Sequence, residues 1–142
     1  MEDTMGKINW VRVLLGGLLA GVILNIFDWV VNGMVLKHQW EAAMQALGRP
    51  MPKSAMAVFV VCDFILGIGA IWIYALARPR LGPGPKTALL IGLGYWVLIS
   101  AVSTAATGAM GLFPCRLLII GTVAGLVAIL VASVAGALVY KE

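Results

Sequence analysis

The sequence predicts an all-α membrane fold, an antiparallel four-helix transmembrane bundle with a short amphipathic interfacial helix between the first two spans. Three observations predict it. The 142 residues are 62% hydrophobic and only 11% charged, with a mean hydropathy of +1.03, whereas a soluble domain carries about 25% charged residues. Four apolar stretches stand at about 10–36, 55–77, 87–110 and 116–140, each of the roughly 20 or more residues that cross a ~30 Å hydrocarbon layer. Proline and glycine punctuate the connections, in Leu81-Gly82-Pro83-Gly84-Pro85 and Gly111-Leu112-Phe113-Pro114, where Pro removes a donor and Gly permits turn geometry. The expected organisation is a single membrane domain over 1–142.

The first stretch reads as a retained membrane helix rather than a signal peptide. It has the basic flank Lys7 and Arg12, but it runs from about Val13 to Leu36, longer than the usual ~7–15-residue apolar core of a signal. Between the first two spans, Lys37 to Gly48 reads as a short helix over about 38–48. Trp40, Ala43, Met44 and Leu47 recur at helical spacing on one face, and Gly48 with Pro50 beyond it forms a stop. Such a helix lies in the headgroup plane or packs as a solvated loop helix on the bundle; the sequence leaves both open. The second span is expected to end at Arg78-Pro79-Arg80.

Charge sets the expected orientation. Lys7, Arg12, Arg78, Arg80, Lys86 and Lys141 fall on the side of the termini, and Lys37, Arg49, Lys53 and Arg116 on the other. Six against four favours both termini in the cytoplasm, and the acids Glu2 and Asp3 count for little. The net charge of +4 is spread singly over helix ends and forms no groove-binding cluster, so no nucleic-acid partner is expected.

Small residues recur at helix-packing spacing. Gly17 and Gly21 form one Gly-x-x-x-Gly pair, and Gly121 and Gly125 another, continued by Ala132 and Gly136; Ser100, Thr104 and Gly108 make a stripe on the third span. Such stripes let backbones approach where lipid supplies no hydrophobic drive. The first and fourth spans are the expected tight pair. Matching Tyr-plus-basic endings on the second and fourth spans, Tyr74 to Arg78 and Tyr140-Lys141, are read as interfacial anchors rather than an internal repeat.

The functional signal is a polar layer in apolar helices. A carboxylate at a membrane-helix centre costs about 2.5–3.5 kcal/mol on insertion scales. Asp28 lies ~12 Å from the Leu36 end of the first span and Asp63 ~14 Å from Ser54, both on the same side, at ~1.5 Å per residue. Asn25, Asp28 and Asn32 share one helix face, and Ser103, Thr104, Thr107, Arg116 and Thr122 approach from the third and fourth spans. Three readings of this layer stand. Arg116 pairs with an aspartate; the two aspartates share a proton or cation in a water-filled vestibule, since two nearby carboxylates repel until a positive charge joins them; or the membrane boundary is deeper and Asp28 and Asn32 are simply wet, with Trp29 and Trp40 marking the interface. Tyr95-Trp96 beside the serines is placed to line a cavity, although Trp72 and Trp96 also read as packing residues.

Other chemistry is weak. His38 is the single histidine, and it reads as a solvated anchor. Cys62 and Cys115 form no Cys-x-x-Cys pair; they read as small apolar residues, with a mutual disulfide as the alternative. No metal, cofactor or catalytic constellation is readable.

The residues Asp28-Trp29, Trp40-x-x-x-Met44-x-x-Leu47-Gly48-Arg49-Pro50, Gly82-Pro83-Gly84-Pro85-Lys86-Thr87-Ala88 and Leu112-Phe113-Pro114-x-Arg116-Leu117-Leu118 resemble a pattern in small four-helix bacterial membrane proteins of unknown function. The resemblance covers nearly the whole chain and implies an inner-membrane protein without implying an activity. In size and helix count the chain is also similar to small multidrug-resistance transporters, but that family carries Glu where Asp28 stands, and its flanking pattern is missing here.

The first expectation for function is therefore a non-enzymatic accessory or structural subunit of a membrane complex, partnered by the bilayer and by other subunits or further copies of itself. A small proton- or cation-coupled transporter or channel using Asp28 and Asp63 comes second, and a membrane enzyme last.

Overall fold

The computed structural model describes residues 7–141; Glu2 and Asp3 lie outside them. The described elements are all helical: α1 (Trp10–Val30), α2 (Lys37–Ala46), α3 (Ala55–Leu81), α4 (Pro85–Trp96), α5 (Val102–Ala109) and α6 (Cys115–Val139). Two π-helical turns, Val31–Val35 and Val97–Ala101, extend α1 and join α4 to α5. Four continuous helical stretches result, Trp10–Val35, Ala55–Leu81, Pro85–Ala109 and Cys115–Val139, each long and apolar enough to cross a membrane. The chain is a multi-pass membrane protein.

Local chemistry sets the helix ends. Asn9 caps α1 by accepting a 3.1 Å hydrogen bond from the Arg12 amide, which satisfies one of the donors a helix start leaves open. Pro85 occupies the first turn of α4, where its missing N–H costs nothing. The second span does not stop before Pro79. It runs on to Leu81, because a proline this near the end removes only one intrahelical bond. Gly82 then closes it with φ of +84°, its amide donating to the Arg78 carbonyl at 2.9 Å.

The bundle packs tightly toward the Asn9 and Tyr140 end. Its core is built from small residues with a few branched ones: Val13 and Ala20 of α1, Ala70 and Ile71 of α3, Ala88 of α4, and Ala132 of α6. Tyr140 ties this end together. Its hydroxyl accepts from the Asn9 amide at 3.3 Å, its ring meets Tyr74 edge-on at 6.0 Å, and Arg78 lies 5.5 Å over its face.

The first and fourth spans do pack closely, as expected, but the two Gly-x-x-x-Gly motifs do not meet each other. Gly17 and Gly21 face α3: a Cβ on Gly17 meets Ile68, and one on Gly21 meets Phe64 at 2.5 Å. The reason is Gly67 on α3, whose own missing side chain lets the backbones of Gly17 and Gly21 fit against it. The first span does also touch the fourth closely, but through Gly16 and Gly136, where a Cβ on Gly16 lands 2.5 Å from the Gly136 carbonyl oxygen. A Cβ on Gly125 meets nothing within 4 Å, and one on Gly121 only Asn32 at 3.8 Å.

At the other end the bundle loosens. From Met56 to Cys62 every residue of α3 is exposed. A small second cluster closes this end, with Leu36, Ala43 of α2 and Leu117 of α6 buried against Trp40 and Phe113. The tight half thus forms a floor, and the loose half holds the space above it.

Candidate functional site

A cavity of about 200 Å³ lies where the two halves meet, well above the ~10–15 Å³ that one water needs. Leu24, Ala128 and Ile129 provide apolar wall from the core; Asp28, Asn32 and Asp63 bring the polar groups. Tyr95 and Trp96 of α4 and Ser100 of the second π turn line it too. No Lys, Arg or His is among the lining residues.

Asp28 is half-buried and oriented by a two-step relay. The Asn32 side-chain amide donates to Asp28 Oδ1 at 2.6 Å, and the Trp40 indole N–H donates to Asn32 Oδ1 at 3.0 Å. The relay joins the cavity to α2, which itself docks through Ala43 and Trp40, the latter edge-on to Phe113 at 5.6 Å. Trp40→Phe is expected to lose only the indole hydrogen bond, about 0.5–1.5 kcal/mol net. Trp40→Ala also loses the ring contact and costs about 3–5 kcal/mol if the site behaves as a core. Unfolding midpoints of the two variants in mixed micelles check this; equal losses would show that the indole N–H plays no part.

Asp63 is also half-buried, and its Oδ2 is shut away from the surface without a hydrogen-bond partner among the described residues. An ionised carboxylate is a pure acceptor, so this buried oxygen faces the cavity's side of the bundle with its acceptor capacity unused.

Both π turns border this cavity. Leu36 donates to the Val31 carbonyl at 2.8 Å, and Val102 donates to the Val97 carbonyl, the i to i+5 bonds that define them. Val31 and Asn32 from one turn, and Ile99 and Ser100 from the other, line the space. π turns inside α-helices recur at functional sites, and two of them on one cavity strengthen its candidacy.

Of the residues singled out by sequence, Asp28, Asn32 and Asp63 come together here, with Gly121 and Gly125 forming wall rather than helix contact. Tyr95, Trp96 and Ser100 join them, whereas Asn25, Ser103, Thr104, Thr107 and Arg116 do not line the cavity. Asn25 braces α1, its amide donating to the Gly21 carbonyl at 3.0 Å and reaching Val60 of α3. Thr104 and Thr122 share a 2.7 Å hydrogen bond that clips α5 to α6. Thr107 bonds back to the Ser103 carbonyl at 2.9 Å, and Ser103 is exposed. Arg116, in the first turn of α6, is exposed and makes no ion pair; the ion pairs among the described residues are Lys37–Glu41 at 4.0 Å and His38–Glu41 at 3.7 Å. The reading in which Arg116 neutralises an aspartate is therefore corrected: its place at the helix start turns it away from the cavity. His38 is 94% exposed. Cys62 and Cys115 are free.

Among the described residues no three His, Cys, Asp or Glu gather as a metal site. Two carboxylates with amide, phenol and hydroxyl groups offer oxygen acceptors for a proton or a small cation, but fewer charged ligands than calcium sites bring. Comparison with known proteins returns no match, whether to a family model, to a curated protein or to a solved structure.

Proposed function

We propose that the protein is a small proton- or cation-coupled transporter or channel of the bacterial inner membrane, without enzymatic activity, in which Asp28 and Asp63 bind the cation. The observation that carries this reading is the lining of one cavity by two carboxylates with no basic group among them. A passive subunit has no need of such a site, and buried membrane acids persist where they serve ion pathways. This places second the accessory-subunit function that the sequence alone favours.

The membrane frame proposed with it is antiparallel, with both termini in the cytoplasm and α2 in the opposite headgroup layer. The register of contacts supports the first point, since Gly17 lies against Ile68 while Gly21 lies against Phe64, so one helix ascends as the other descends. Asn9, Tyr74, Arg78 and Tyr140 gather at one end, and the basic residues near them match the positive-inside bias. Trp40, within α2, suits an anchor in that headgroup layer.

The test is ion flux in proteoliposomes for wild type and Asp63→Asn, developed below. The accessory reading keeps one support, the uncovered flank of α3 from Met56 to Cys62. Native mass spectrometry of protein gently extracted from its own membrane separates the two. The transporter predicts a homo-oligomer or monomer; a fixed stoichiometry with foreign chains would favour the accessory role.

A further inference from the structure

A second, larger cavity opens beside the first, between the end of the first span, α2 and the start of α3. Its volume is about 680 Å³, within the ~300–1,000 Å³ typical of organic-ligand sites. Its walls carry two chemistries. Asp28, Lys37 and Glu41 supply charge, and Met44, Met51, Met56 and Phe59 supply an apolar surface. Trp29 and Trp40 complete it.

From this lining we infer that the cavity binds a membrane lipid with a phosphoethanolamine headgroup. The apolar residues sort the ligand first. A water-soluble ligand has no use for three methionines and a phenylalanine, whereas thioether side chains adapt to acyl chains of varied shape. The charges then sort the headgroup. Two carboxylates against one lysine disfavour a fatty acid or an anionic lipid, and match a zwitterion whose ammonium meets Glu41 while its phosphate meets Lys37. A primary ammonium donates hydrogen bonds to carboxylates, which a quaternary one cannot, and it also suits the indole faces of Trp29 and Trp40.

Lys37 and Glu41 are free to change partners. Their ion pair is long at 4.0 Å, between side chains 60% and 55% exposed, a type of pair with little energy of its own. Neither residue lines the smaller cavity, so the inference goes beyond the cation reading and survives or fails separately from it.

The experiment uses the full chain reconstituted in vesicles holding equal amounts of phosphatidylethanolamine, phosphatidylcholine and phosphatidylglycerol with the same acyl chains, followed by native mass spectrometry. The expected result is selective retention of one phosphatidylethanolamine. In the double variant Lys37→Gln, Glu41→Gln that preference falls by about tenfold, the scale of one hydrogen bond to a charged group. Both side chains are exposed, so the variant folds; its unchanged unfolding midpoint is the control. Equal retention of the three lipids, or a preference that persists in the double variant, would overturn the inference. As a second readout, a variant keeping Trp29 and Trp40 as its only tryptophans is quenched more by phosphatidylethanolamine brominated on its acyl chains than by phosphatidylglycerol brominated alike. Equal quenching would also count against the site.

Discussion

On the proposed function, Asp63→Asn is expected to slow cation movement sharply while leaving the protein as abundant and as stable as wild type. The substitution keeps the shape of the side chain and removes its charge. Because Oδ2 is buried with no donor beside it, no hydrogen bond is broken by the change. A carboxylate in a membrane helix carries an insertion cost of about 2.5–3.5 kcal/mol, so neutralising it cannot reduce insertion. The proposed function is expected to suffer, since the amide neither releases a proton nor balances a cation. In proteoliposomes under an imposed proton or sodium gradient, we expect wild type to dissipate the gradient and Asp63→Asn to do so at least about tenfold more slowly, a barrier change of ~1.4 kcal/mol or more. Asp28→Asn is expected to give the same loss for the same reason, with the fold intact because Asn32 can still donate to the oxygen that remains at position 28. Normal flux with reduced abundance would point instead to a structural role for the acid and to the accessory-subunit reading.

Gly67→Ala disrupts the bundle. A Cβ at this position collides with the Gly21 amide nitrogen and falls 2.7 Å from the Gly17 carbonyl oxygen and 2.8 Å from Gly21 Cα. All three are backbone atoms, so no side-chain rotation relieves the clash and the first and second spans must separate. Overpacking costs about 1–3 kcal/mol even where side chains can shift, and here the expected cost is at the upper end or beyond. Gly125→Ala is the matched control: it adds the same methyl group in the middle of α6, where nothing lies within 4 Å, and leaves stability within about 0.5 kcal/mol. Unfolding midpoints in detergent titrated with dodecyl sulfate compare the two. Equal midpoints would show that the contact between α1 and α3 is not the tight one.

The four spans and the connections between them were legible because hydropathy, length and Pro-Gly punctuation are properties of the chain itself. Asp28, Asn32 and Asp63 were legible for a related reason: polar residues in apolar helices have few places to go. Helix partners were not. Gly17-x-x-x-Gly21 announces a close approach without saying to what, and its counterpart, Gly67, stands in no repeated motif of its own. The same gap explains Arg116. Its charge and approximate depth favour a role near the aspartates, but it stands exposed in the first turn of α6. The π turns at Val31–Val35 and Val97–Ala101 also escaped the sequence. A one-residue slip in hydrogen bonding leaves the apolar pattern of Val, Leu and Ile almost unchanged, and only the backbone reveals it. Tyr95 and Trp96 were placed near a cavity by their neighbouring serines, of which Ser100 lines it and Ser103 does not.

The central claim is that Asp28 and Asp63 exchange a proton or cation in one cavity. Infrared difference spectroscopy of the carboxyl bands tests it most directly, on the protein in lipid nanodiscs as pH is stepped and as sodium or potassium replaces choline. The account predicts a carboxyl difference signal in wild type that is reduced in each of Asp28→Asn and Asp63→Asn and missing from the double variant. A wild-type signal identical to that of the double variant under every exchange would contradict it.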